Sequence, residues 1–202
     1  MTEREVVLVR HGQTEWSASG KHTGRTDIPL TELGRRQADA LGDMLSGTEF
    51  ALVLCSPLIR AWETMERAGY ATTGVATDDL LEWDYGVYEG RRTDDIRTEI
   101  PDWSVWTHPI AGGETIDEVG ARADRALARA VSVDGPDGPV ALFAHGHLLR
   151  ILGARWIGLP AVTGRNLQLG TATVSTLGWE RENRVVRHWN EACHLRSIDP
   201  VL

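Results

Sequence analysis

Cysteine is scarce in this chain of 202 residues: Cys55 follows an apolar run, Cys193 lies near the C-terminus, and there are no others. Two thiols without a pairing pattern exclude a disulfide framework and point to a reducing compartment, so a cytoplasmic protein is expected. Long apolar runs are missing too. No stretch approaches the roughly 18 apolar residues that a membrane span needs. Met1-Thr2-Glu3-Arg4-Glu5 runs straight into the strand-like Val6-Val7-Leu8-Val9, so no secretory leader is expected. Basic residues are outnumbered, 21 against 29 acidic, and the net charge of −8 disfavours nucleic acid as a partner. Neither Gly-x-x-x-x-Gly-Lys-Ser/Thr nor Gly-x-Gly-x-x-Gly occurs, which removes the two commonest nucleotide-cradling loops. Repeats and low-complexity tracts are absent as well.

What remains is the composition of a folded domain, 42% apolar and 25% charged. One domain spanning residues 1–202 is expected, long enough to bury roughly 70% of its unfolded surface without disulfides or a structural metal. A strand followed by a polar turn and a helix recurs three times. Val6 to Val9 leads into Arg10-His11-Gly12 and a helix from about Thr31. Phe50 to Leu54 leads into Ser56-Pro57, read as an N-cap with proline at the first helical position. Val140 to Ala144 leads into His145-Gly146-His147 and a helix from Leu148 to Trp156 that ends near Gly158 and Pro160. Between the last two units, Thr115-Ile-Asp-Glu118 is a capping box, and apolar residues from Val119 to Val131 follow at helical spacing. Asp134 to Pro139 is a loop. Ala172 to Trp179 and Val185 to Trp189 form a closing antiparallel hairpin. Apolar runs without alternation mark strands buried on both faces. The fold expected is therefore α/β, three layers (α/β/α) around a mostly parallel central sheet.

In such sheets, ligands bind beyond the carboxyl ends of the strands. Three strands deliver Arg10 with His11, Arg60, and His145 to that edge. Taken singly, each has a plain reading: Arg60 a solvated helix residue, Glu82 an exposed carboxylate, His145 a cap. Together, in an acidic chain, they make a local anion pocket. Guanidiniums bind phosphoryl oxygens through paired N–H donors, and helix N-termini add more. His145-Gly146-His147 has no accompanying carboxylate or cysteine cluster at ligand spacing, so no metal site and no cofactor are expected.

At Leu8-Val9-Arg10-His11-Gly12-Gln13-Thr14-Glu15-Trp16 the chain resembles the histidine phosphatase superfamily, in its phosphoglycerate-mutase-like branch. Further blocks follow in family order to about Arg150: Thr23-Gly24, Pro29-Leu30-Thr31 with Gly34, Ser56 to Ala61, Glu82-Trp83-Asp84-Tyr85-Gly86, Gly112 to Thr115, and Ala144 to Arg150. The resemblance implies that His11 attacks phosphorus to form a phosphohistidine, its other nitrogen held as a donor to a backbone carbonyl. It implies that Arg10, Arg60 and His145 hold the phosphoryl oxygens, and that Glu82 gives the leaving group its proton and later activates water. Burial against Leu81 and Trp83 would favour the protonated carboxyl, and an acid-leaning optimum is expected. Ser17, Thr23, Gly24, Tyr85, Gly146 and His147 are the candidate substrate-binding residues.

The chain departs from the family pattern at Ser17, where many members carry asparagine. Trp16 to Gly20 with Thr23-Gly24 resembles a subgroup containing actinobacterial acid phosphatases and sedoheptulose bisphosphatases, which points to sugar phosphates. Only 62 residues lie between Glu82 and His145, shorter than the cover that shields the phosphoenzyme in cofactor-dependent mutases, so water should reach the intermediate. Arg91 and Arg92 read as solvated surface arginines, with a second anion-binding role as the other reading. Trp103 and Trp106 read as packing residues or as walls of the pocket. The expected function is hydrolysis of a small phosphate ester. The alternatives are mutase-type phosphoryl transfer and a phospho-ligand-binding protein of low activity. No membrane partner is expected, and a homodimer is the one assembly that the terminal hairpin suggests.

Overall fold

The computed structural model describes residues 3–134 and 136–198, so Gly135, within the expected loop, lies outside the described residues. Six strands form one sheet: β1 (Val6–Arg10), β2 (Leu52–Cys55), β3 (Gly74–Ala76), β4 (Val140–Ala144), β5 (Val174–Glu180) and β6 (Asn183–Glu191), in the order β3-β2-β4-β1-β5-β6. The first four run parallel; β5 is antiparallel to β1, and β6 to β5. The mostly parallel sheet and the closing hairpin match the sequence reading.

Six α-helices accompany the sheet among the described residues: α1 (Glu15–Ser19), α2 (Glu32–Leu45), α3 (Ile59–Met65), α4 (Thr93–Arg97), α5 (Ile116–Val131) and α6 (Gly146–Trp156). Strand residues alternate between two cores because successive side chains point to opposite faces. Val6, Leu8, Leu142 and Ala144 pack with α5 and α6, whereas Val7, Val9, Ala141 and Phe143 pack with α2 and α3. Both faces are apolar, which is why these strands read as continuous runs. The α5 capping box forms as expected between Thr115 and Glu118.

Three local expectations fail for identifiable reasons. Ser56 does not cap α3: the helix starts at Ile59 behind Leu58, and the Ser56 hydroxyl bonds His145 instead. Strand β2 begins at Leu52 rather than Phe50, and α6 begins at Gly146 rather than Leu148. Helix α1 was not foreseen. Its capping box pairs Thr14 with Ser17, a serine where the usual signature has glutamate or glutamine.

One close approach positions the first strand end. A Cβ on Gly12 would stand 2.4 Å from the Gly34 carbonyl oxygen, and one on Gly34 would stand 2.1 Å from that of Gln13. Only glycine at both places lets the turn after β1 rest on the first turn of α2.

Candidate active site

Strand pairing puts the two histidines together. Arg10 pairs with Ala144 across β1 and β4, so His11 and His145 are the next residues on neighbouring strands. Strands lie about 4.8 Å apart, and the two imidazole centroids are 5.2 Å apart. His11 is buried, and its Nδ1 lies 2.7 Å from the Gly12 carbonyl. A carbonyl only accepts, so Nδ1 carries the proton and Nε2 keeps its lone pair. Burial, then the charges of Arg60 and Arg10, hold this imidazole well below the usual histidine range, so it stays neutral.

Arg60 is fully buried and spends most of its donors on the protein. Its Nε donates to His145 Nδ1 at 3.1 Å, Nη1 to the Thr26 carbonyl at 3.0 Å, and Nη2 to the Thr23 and Gly24 carbonyls at 3.1 and 2.8 Å. Because arginine only donates, His145 Nδ1 must be unprotonated, and Nε2–H then donates to Ser56 Oγ at 2.7 Å. Burial, then Arg60, push His145 well below the usual range. The sequence reading grouped His145 with the cations; here it is a neutral ring with both nitrogens engaged. One Nη1–H of Arg60 has no partner.

Glu82 is also buried, but not in the apolar setting expected from Leu81 and Trp83. Its Oε1 accepts from the backbone N–H groups of Trp83 and Leu148, at 2.9 and 3.0 Å, and its Oε2 from that of His147 at 3.0 Å. Two of these are free N–H groups at the N-terminus of α6, where a carboxylate is favoured. Arg122 fixes the segment from outside, donating to the carbonyls of Asp79, Leu81 and Glu82 while paired with Glu114. Nothing in the sequence pattern singled out Arg122.

A cavity of about 410 Å³ opens in front of these groups. Arg10, His11, Ser17, Thr23, Glu82, Tyr85, Gly146 and His147 line it, whereas Arg60, His145 and Gly24 lie behind the wall. Arg10 donates from Nη1 to the Leu169 carbonyl, and its buried Nε has no acceptor among the described residues. Gly146 leaves room for it: a Cβ there would sit 3.3 Å from Arg10 Cζ. Tyr85 Oη lies 2.6 Å from His147 Nδ1. Burial raises the phenol well above its usual range, and burial with Arg150 lowers His147 well below its own. Both groups therefore stay neutral, and one proton is shared between the phenol oxygen and Nδ1. The Ser17 hydroxyl donates to the Thr14 carbonyl at 3.0 Å and accepts from the Thr14 N–H at 2.9 Å, which leaves it committed to its own turn.

The rest of the wall comes mainly from residues that the sequence did not offer as binding groups: Lys21, His22, Thr93, Arg97, Ser104 and Arg150, with Trp103 and Trp106 between them. Burial lowers His22 to about 4. Arg150 was legible in part, because it follows His147 by three residues on α6 and shares its face. Arg91 and Arg92 take the plainer reading: they pair with Glu99 and Asp94 and do not reach the cavity. Among the described residues no group of three or more His, Cys, Asp or Glu is arranged to hold a metal, and no helix is long and apolar enough to cross a membrane.

Comparison with known proteins bears on the family and the fold. The chain is 42% identical over 178 residues to an acid phosphatase of Mycobacterium tuberculosis, covering 87% of this chain and 86% of that one. It is 36% identical over 185 residues to sedoheptulose 1,7-bisphosphatase of Saccharomyces cerevisiae, covering 76% and 67%. A solved structure of an open reading frame product from Mycobacterium tuberculosis superposes with a TM-score of 0.86 at 39% identity, covering 93% of this chain and 97% of that one. Residues 6–192 match the profile of the histidine phosphatase superfamily (branch 1), and with a buried, neutral histidine presented between two arginines at a sheet edge, the chain belongs to that family of enzymes.

Proposed function

We propose that this protein is a metal-independent phosphomonoesterase that hydrolyses small phosphorylated metabolites, sugar phosphates in particular, through a phosphohistidine. The observation that carries the reading is His11: Nδ1 is tied to the Gly12 carbonyl, the ring is kept neutral, and Nε2 is left free on the cavity side. Nε2 attacks phosphorus in line, the P–O ester bond breaks, and the leaving oxygen takes a proton. Water then attacks the phosphohistidine, releasing phosphate and free imidazole. Arg10 stabilises the equatorial oxygens from the cavity wall, and the buried charge of Arg60 acts on them from behind it. His145 joins them by exchanging Ser56 for a phosphoryl oxygen.

Glu82 is the proposed proton donor. With both oxygens already accepting N–H bonds, a proton on Oε2 has to displace the His147 amide. Glu82 therefore hands its proton to the leaving oxygen only where that oxygen takes the place of the His147 amide at Oε2. Sugar phosphates are supported by the name of one relative, a sedoheptulose bisphosphatase, and by a wall that carries Tyr85, Trp103 and Trp106. The test is a panel of sugar phosphates and phosphoglycerates, following free phosphate, isomerised product and acid-labile phosphoprotein together. Free phosphate with labelled protein is expected; isomer without free phosphate would make the enzyme a mutase, and neither product a binding protein.

A further inference from the structure

The charge lining the cavity exceeds what one phosphate ester supplies. Four cations line it, Arg10, Lys21, Arg97 and Arg150, against a single carboxylate, Glu82, whose oxygens face backbone amides. Acids outnumber bases in the chain, and arginines elsewhere find acidic partners, as Arg25, Arg67, Arg122 and Arg155 do. None of the four cavity cations forms a salt bridge among the described residues. A phosphate ester brings a charge of about −2, less than the surplus of three.

The four cations divide by position. Arg10 directly precedes His11 and Arg150 follows His147 by one helical turn, and both feel the charge of Glu82. Arg97 and Lys21 come from other elements, helix α4 and the segment that follows α1. Helix α4 is pinned by Ile96, which is completely buried, and Thr93 on the same helix reaches His22 Nε2 through its hydroxyl at 3.2 Å. Arg97 Nε donates to the carbonyl of the buried Trp103 at 2.9 Å, which aims the guanidinium while leaving both Nη groups without acceptors among the described residues. Lys21 pairs by a backbone bridge with Arg92, immediately before that helix. A guanidinium held by one bond and two open Nη groups is set up for a bidentate anion.

We propose that Arg97 and Lys21 form a second anion subsite in this cavity, so that the preferred ester carries a further phosphate or carboxylate on its leaving group. The proposal rests on the phosphatase reading and adds a substrate class to it. The cavity volume, about 410 Å³, lies within the roughly 300–1,000 Å³ of small-molecule pockets and admits a ligand larger than one phosphate.

Two measurements test it. The first compares kcat/KM for a sugar bisphosphate, a phosphorylated sugar acid and the matching monophosphate in wild type and in Arg97→Gln with Lys21→Gln. The double variant is expected to raise KM about tenfold for the two-anion esters and to leave the monophosphate within about twofold. The two-anion ester that loses more identifies the second group. Equal changes for all three esters, or none, would overturn the subsite. The second measurement does not need turnover. Lys21 is the chain's sole lysine, so its acylation by an amine-reactive ester can be read by peptide mass. In His11→Ala protein, the bisphosphate is expected to protect Lys21 and the monophosphate is not. Protection without free phosphate in the panel assay would sink the phosphatase reading and keep the subsite; free phosphate without protection or a KM change would do the reverse.

Discussion

Arg60 and Arg97 belong to one site and are built by opposite rules. Arg60 lies under the nucleophile with four of its five N–H groups on protein acceptors and no exposure. Arg97 lines the cavity with one anchoring bond, on a five-residue helix. The first is a floor residue whose charge is fixed before any ligand arrives, and the second a wall residue whose donors are left open for one. Floor residues determine whether phosphorus is attacked; wall residues determine which molecule carries it there.

Substitutions can break that contrast or sharpen it. The largest effect is expected for His11→Ala, which removes the nucleophile and should lower turnover by about 10⁴-fold or more and abolish acid-labile labelling. Glu82→Gln should follow, cutting alkyl phosphate hydrolysis by about 10²–10⁴ and sparing aryl phosphates, whose leaving groups need less protonation. An equal loss on both would count against Glu82 as donor. The amide also points N–H at N–H toward α6, so a thermal melt should register a loss of about 1–3 kcal/mol. Arg60→Ala leaves three carbonyls and His145 Nδ1 without their donor. A loss of about 3 kcal/mol and a Tm lower by roughly 6–12 °C are expected, whereas Arg97→Gln should leave Tm within about 1–2 °C. Similar Tm values for the two would erase the distinction between floor and wall.

The smallest effect is on pH dependence. His11, His22, His145 and His147 are all held below the usual range, His22 at about 4, chiefly by burial. Below about 6.5 the unfolded chain takes up protons on these rings that the folded chain refuses. Their contribution to stability is therefore complete above about pH 6.5 and is lost as pH falls toward 4. Melts between pH 7.5 and 5 should show a falling Tm, with a shallower slope in His22→Asn. Acidity thus weakens the fold around the site.

The floor was legible in the sequence because strand ends leave a strong signal: an apolar run broken by Arg-His-Gly or His-Gly-His, at places where parallel strands must end side by side. The wall was not. Thr93, Arg97 and Ser104 sit on a short helix and turns with no periodicity, and their convergence depends on tertiary packing around Ile96 and Trp103. Ser56 shows the same limit on the floor. Its position before proline has the pattern of a helix cap, but a buried imidazole competes for the hydroxyl and takes it. Glu82 was found as a residue and misjudged in its surroundings, since nothing in Leu81-Glu82-Trp83 announces that the amides of α6, sixty-five residues downstream, will close around it.

The contact between Gly12 and Gly34 has a consequence for tuning the enzyme. The Gly12 carbonyl sets the tilt of the imidazole, and the peptide that carries it leans on the first turn of α2. Reactivity of the nucleophile is thus adjustable from outside the pocket. A small shift of that helix would tilt the ring like a rudder, with no substitution in the cavity wall.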